Sequence, residues 1–81
     1  MAKKDEREVR YEPHALRRME QRGITKAQVE QTVAHPHRQE AAQQYRRRVE
    51  RDFFSGNLKT TVVLIVEDDT HFVRIISVWK N

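Results

Sequence analysis

Apolar positions along this chain follow two different periods, and the change falls near residue 38. Between Pro13 and His35 the spacing is helical. Ala15, Leu16 and Met19 share a face expected to turn inward, while His14, Arg18 and Arg22 recur at i, i+4 and i+8 on another. Pro13 suits the first helical position, where its missing N–H costs nothing. Gly23 is placed as the left-handed residue that ends the helix, and Ile24 beyond it can touch Met19. Thr25 then reads as an N-cap with Gln28 three residues on, a capping box, and Ile24 doubles as the staple onto Val29. Pro36 disfavours a helical conformation before it, so the second helix stops near His35. The pattern predicts two helices over residues 13–35, preceded by a charged arm over residues 1–10 that is frayed at its start.

After residue 38 the period becomes two. "QQYRRRVERDFF" puts Tyr45, Val49 and Phe53 on one face and Arg46, Arg48, Glu50 and Asp52 on the other. Arg47 and Arg51 break the alternation, because they fall on the apolar face. "SGN" reads as a turn. "TTVVLIVE" is apolar on both faces and reads as a central strand. "DDT" is a second turn, and "HFVRIISVWK" is the last strand. A short strand over residues 38–42 is the least marked. The whole predicts one α+β domain over residues 1–81: an N-terminal helix hairpin packed on one face of a three- to four-stranded antiparallel sheet. Two short helices cover only one sheet face, so the apolar residues on the other call for a cover such as a partner chain or a second copy.

Composition narrows the class. Eighty-one residues leave little room for a second core. The net charge is +4, and eleven of the sixteen basic residues are arginines, suited to planar contacts with phosphate or carboxylate. RNA and an acidic protein are both partners of that kind. The absence of cysteine removes thiolate metal sites and thiol nucleophiles and fits a reducing, cytoplasmic setting. "MAKKDEREVR" has no apolar run after its lysines, so it does not read as a signal peptide, and no window approaches a membrane-spanning length.

His14, at the start of its helix, is placed for proton transfer near neutral pH. Arg18 and Arg22 on the same face would hold phosphate. The ordinary alternative is a surface histidine beside two solvated arginines. "YRRRVER" offers Arg46, Arg47, Arg48 and Arg51 beside Tyr45, an arrangement able to bind a phosphodiester and stack a base, or simply an edge strand kept soluble by charge. Glu50 among them is either a base or an ion-pair partner. "HPH" at residues 35–37 lacks the neighbours a metal site needs, and "EDD" at 67–69 belongs to a turn. With two glycines no phosphate-cradling motif exists, so neither metal nor cofactor is expected.

"HALRRMEQRGIT", then a valine-bearing helix, an "HP" stop and strands ending "VRIISVWK", resembles the small bacterial family called domain of unknown function 4258, from about Tyr11 to Lys80. "RIIS" is also similar to the last strand of BrnT-type toxins. Both families are grouped with the barnase, EndoU, colicin and RelE-like superfamily. That resemblance implies a RelE/barnase-like sheet with helices packed on it, and metal-independent endoribonuclease activity as the toxin of a toxin–antitoxin pair. It implies RNA and a cognate antitoxin as partners, and it carries over to His14, Arg18 and Arg22 alone. Cleavage would proceed by attack of a ribose 2′-OH on the adjacent phosphate, which needs a base, an acid and fixed positive charge. Glu50, Tyr45, His71 or another arginine would complete the proton transfer. The rival expectation is a basic α+β module that binds RNA or an acidic protein without cutting.

Overall fold

The computed structural model describes residues 7–81. The elements run β1 (Glu8–Tyr11), α1 (Pro13–Arg22), α2 (Lys26–Ala34), β2 (Arg38–Ala41), β3 (Arg46–Ser55), β4 (Leu58–Asp68) and β5 (Phe72–Lys80). The fold is α+β, as the change of period predicts. The sheet differs in detail: it has five strands in the order β1-β5-β4-β3-β2 and is mixed, because β1 lies parallel to β5 while the other pairs are antiparallel.

β1 puts a strand in the second half of the arm expected over residues 1–10, where the sequence reading predicted none. Residues 1–6 lie outside the described residues, but "EVRY" pairs with Phe72–Ile75 and turns Val9 and Tyr11 toward the core. Four alternating residues amid charge are too short a run to announce a strand.

The helix hairpin forms as its caps dictate. Gly23 is left-handed at φ 66°, and Ile24 N–H donates to the Met19 carbonyl at 2.9 Å. The Thr25 hydroxyl accepts from Gln28 N–H at 3.1 Å, and the Gln28 side chain accepts from Thr25 N–H at 3.0 Å. Ala15, Met19, Ile24, Val29 and Val33 then meet Val49, Val62, Leu64, Val66, Val73, Ile75 and Val78 in one core. Leu16 departs from the expected inward face and is 40% exposed, because the contact stripe of α1 is only as wide as Ala15 and Met19.

A bulge explains much of the two-sided apolar character of β5. Ile65 pairs with Ser77 but Val66 with Ile75, so Ile76 is the extra residue and the facing switches there. Val73, Ile75 and Val78 therefore all reach the helix side. The opposite face carries its own cover of charged side chains, with Arg38 on Glu50 and Asp52 (2.7 Å each), Arg48 on Glu50 (3.0 Å) and Arg46 on Glu67 (3.3 Å). Val63 on that face is fully buried.

Arg47 and Arg51, the two breaks in the alternation, have structural reasons. Arg47 grips Asp68 with two hydrogen bonds (2.6 and 2.8 Å) and adds one to Gln39. Arg51 donates to the His35 carbonyl at 2.6 Å, satisfying the end of α2. Tyr45 is not part of β3. It sits in the preceding turn with φ 63° and is 75% exposed, so it does not share a strand face with Val49 and Phe53.

Candidate functional site

α1 is anchored to β5 at its start. Glu12 N–H donates to the Ile75 carbonyl at 3.2 Å, and the Glu12 carboxylate lies 3.6 Å from Arg74. At the other end the left-handed Gly23 turns the chain into α2. Because β1 stops opposite Ile75, the remainder of β5 has only β4 as a strand neighbour and runs beside α1. The backbone pair between Asn81 and Thr61 (3.0 and 3.2 Å) holds that end in the ladder.

Between α1 and the end of β5 lies an open cleft of about 410 Å³, lined by His14, Arg18, Arg22, Ser77, Val78, Trp79, Lys80 and Asn81. The three α1 residues singled out by their spacing thus share one cleft. The Lys80 ammonium reaches the C-terminal end of α1: a Cβ added at Gly23 would lie 3.6 Å from Nζ. A cation there complements the helix dipole as well as the cleft.

The charge in this cleft is uncompensated. Among the described residues, Arg18, Arg22 and Lys80 have no carboxylate partner. By contrast, Arg38, Arg46, Arg47, Arg48 and Arg74 are each bound to one or more carboxylates. Hydrogen bonds from Arg38, with the charge of Arg48 added, hold Glu50 below the usual carboxylate range, and Arg38 and Thr61 do the same for Asp52 more strongly. Burial of Asp68 pulls its pKa upward but is outweighed by hydrogen bonds and charge from Arg47 and Arg7, so that it too stays low. Desolvation raises the Tyr11 phenol, and Glu30, which accepts its hydrogen bond at 3.2 Å, raises it further.

The other sequence-predicted groups lie elsewhere. Arg48 lines a hollow of about 200 Å³ on the open sheet face with Arg38, Gln39, Glu40 and Glu50. Tyr45 lines an acidic one with Glu67, Asp68, Asp69 and Thr70. The structure therefore does not bring Tyr45, Arg46 or Arg47 to His14. Arg48 comes nearest, with its guanidinium 5.7 Å from the Trp79 ring centroid. Glu50, Tyr45 and His71 are not in the cleft either, and His71 precedes β5 while the cleft is at its end. Lys80 and Trp79 are the residues the sequence reading missed. Nothing local marks them, since the β1–β5 pairing and the bulge at Ile76 together set the end of β5 beside α1.

His37 accepts a hydrogen bond at Nδ1 from Asp52 N–H (3.1 Å). Among the described residues, no three His, Asp or Glu side chains gather as metal ligands. No described helix is long and apolar enough to cross a membrane.

The fold and the cleft define a small basic α+β module with an unpaired cationic groove at the edge of its sheet. The chain belongs to the family described as Domain of unknown function (DUF4258), which matches residues 11–80. Neither a curated protein nor a solved structure matches it.

Proposed function

We propose that this protein is a toxin-type endoribonuclease of the cytoplasm, related to the RelE/barnase-like superfamily, which cleaves RNA without metal and is held in check by a cognate antitoxin. The observation that carries the reading is the cleft: His14, Arg18, Arg22 and Lys80 line one groove, and its cations have no carboxylate to neutralise them. A phosphodiester is the ligand such a groove attracts. His14 takes the 2′-OH proton or returns one to the leaving 5′-oxygen, and the Lys80 ammonium is the other proton donor in the groove. Arg18 and Arg22 stabilise the charge that builds on the phosphorane-like transition state.

The test is cleavage of RNA by the full chain in the presence of a chelator, together with growth arrest on expression of the chain alone. Cleavage that fails in both settings would set the reading aside.

One observation favours a second reading. Among the described residues nothing hydrogen-bonds the His14 ring to fix its tautomer, as a committed general base usually requires. A module that binds RNA or an acidic protein without cutting needs only the cations. It predicts tight, salt-sensitive binding with no products.

A further inference from the structure

Beyond Ile75, β5 is itself an edge of the sheet, and the cleft runs along that edge. Ser77, Val78, Trp79, Lys80 and Asn81 line it consecutively, although side chains along a strand alternate between its two faces. What five neighbours share is backbone, and the register shows which groups are free. Thr61 and Asn81 exchange both backbone hydrogen bonds (3.0 and 3.2 Å), so Val63–Trp79 and Ile65–Ser77 are the next bonded pairs of the antiparallel ladder. The N–H and C=O groups of Val78 and Lys80 therefore point away from β4, out of the sheet edge. Among the described residues, no backbone hydrogen bond joins them to α1 or β1.

We propose that this edge is a strand-addition site, at which an extended acidic segment of a partner protein pairs with Val78 and Lys80. The segment takes up, further along β5, the lateral position that β1 holds beside Phe72–Ile75. An edge of alternating donors and acceptors is matched by another peptide backbone, whereas a phosphodiester has acceptors alone and leaves both carbonyls unmet. The charge comes from α1, which runs alongside in the same direction: Glu12 N–H is bonded to the Ile75 carbonyl at its start, and Gly23 lies by Lys80 at its end. Arg18 and Arg22 are one helical row apart, about 6 Å along the axis. Side chains on one face of a strand recur at about 6.6–6.8 Å, so acidic residues at every second position meet both arginines. The β2 edge offers no such row, since Arg38 is already bound to Glu50 and Asp52. That the partner is the antitoxin rests on the ribonuclease reading above; the mode of docking rests on the edge and its cations.

The full chain is titrated with a fluorescently labelled heptapeptide that alternates threonine and glutamate. Binding should saturate, compete with single-stranded RNA, and vanish when the glutamates are replaced by lysines. The N–H groups of a strand alternate between its two edges, so methylating the threonine nitrogens and methylating the glutamate nitrogens block opposite edges. One methylated form should bind about 5- to 150-fold more weakly than the other, the range for two lost backbone hydrogen bonds. In amide exchange followed by NMR, the peptide should slow Val78 and Lys80 and leave Ser77 and Trp79, already turned toward β4, unchanged.

No binding of the glutamate peptide, equal binding of the two methylated forms, or slowed exchange along β2 in place of Val78 and Lys80 would overturn the proposal. Any of these in a protein that cuts RNA would leave the ribonuclease reading intact. A chain that never cuts RNA, yet takes the peptide with the expected asymmetry, would keep the docking mode and remove the toxin from the account.

Discussion

Gly23 and Lys80 act on one another at the end of α1. The glycine holds φ 66°, and the space its missing side chain leaves lies 3.6 Å from the Lys80 ammonium. Gly23→Val forces a β-branched residue into the left-handed region and toward that cation. The expected loss is at least about 1 kcal/mol, read as a lower urea midpoint. Unchanged stability would mean the junction is not left-handed. Arg47 is a structural residue in this account: its two hydrogen bonds fasten half-buried Asp68 to β3. Arg47→Ala should cost on the order of 1 kcal/mol, discounted for partial exposure, while RNA affinity through the cleft is retained. A large loss of RNA affinity in a folded Arg47→Ala protein would move the binding surface to β3.

Among the elements, the helix hairpin was legible in the sequence because its determinants are local. The Gly23 stop, the Thr25–Gln28 box and the Ile24–Val29 staple each join residues at most five apart; the stop and the box form in the structure, and Ile24 and Val29 are buried in the same core. Thr25→Ala should cost about 1 kcal/mol and Thr25→Asn should restore most of it, as measured by thermal unfolding. The sheet was only partly legible. The β3–β4 hairpin follows from alternation around "SGN", but β1 joins a strand more than sixty residues away. The bulge at Ile76 also depends on pairing with β4. Both features set the end of β5 beside α1, so the spacing of His14, Arg18 and Arg22 was readable while their neighbours Trp79 and Lys80 were not. The arginines of β3 show the same limit. Their clustering is visible in sequence, whereas the engagement of Arg46 by Glu67 and of Arg47 by Asp68 arises only across strands.

At the scale of the whole molecule, charge is segregated. Ion pairs cover the open sheet face, while among the described residues Arg18 and Arg22 on α1 and Lys80 at the end of β5 have no ion-pair partner and line one cleft. The paired carboxylates Glu50, Asp52 and Asp68 all have pKa values below the ordinary range. A depressed folded value means their contribution is fully present above the unfolded value, about pH 4, and is lost as pH falls through the folded one. Urea midpoints should therefore be flat with respect to these groups above about pH 4 and decline below it. A midpoint that held steady down to pH 2 would contradict the ion-pair assignment. Segregation also predicts that RNA affinity falls steeply with salt, and that Arg18→Ala and Arg22→Ala each weaken binding and flatten that slope by about one unit.

The most direct test of the site is the single-turnover rate at which the full chain cleaves a single-stranded RNA in chelator, compared between the parent and His14→Ala. The account predicts cleavage by the parent and a rate lower by roughly 10²- to 10⁴-fold for His14→Ala with the fold intact. Equal rates for the two proteins, or a folded parent that binds the RNA and never cuts it, would contradict it.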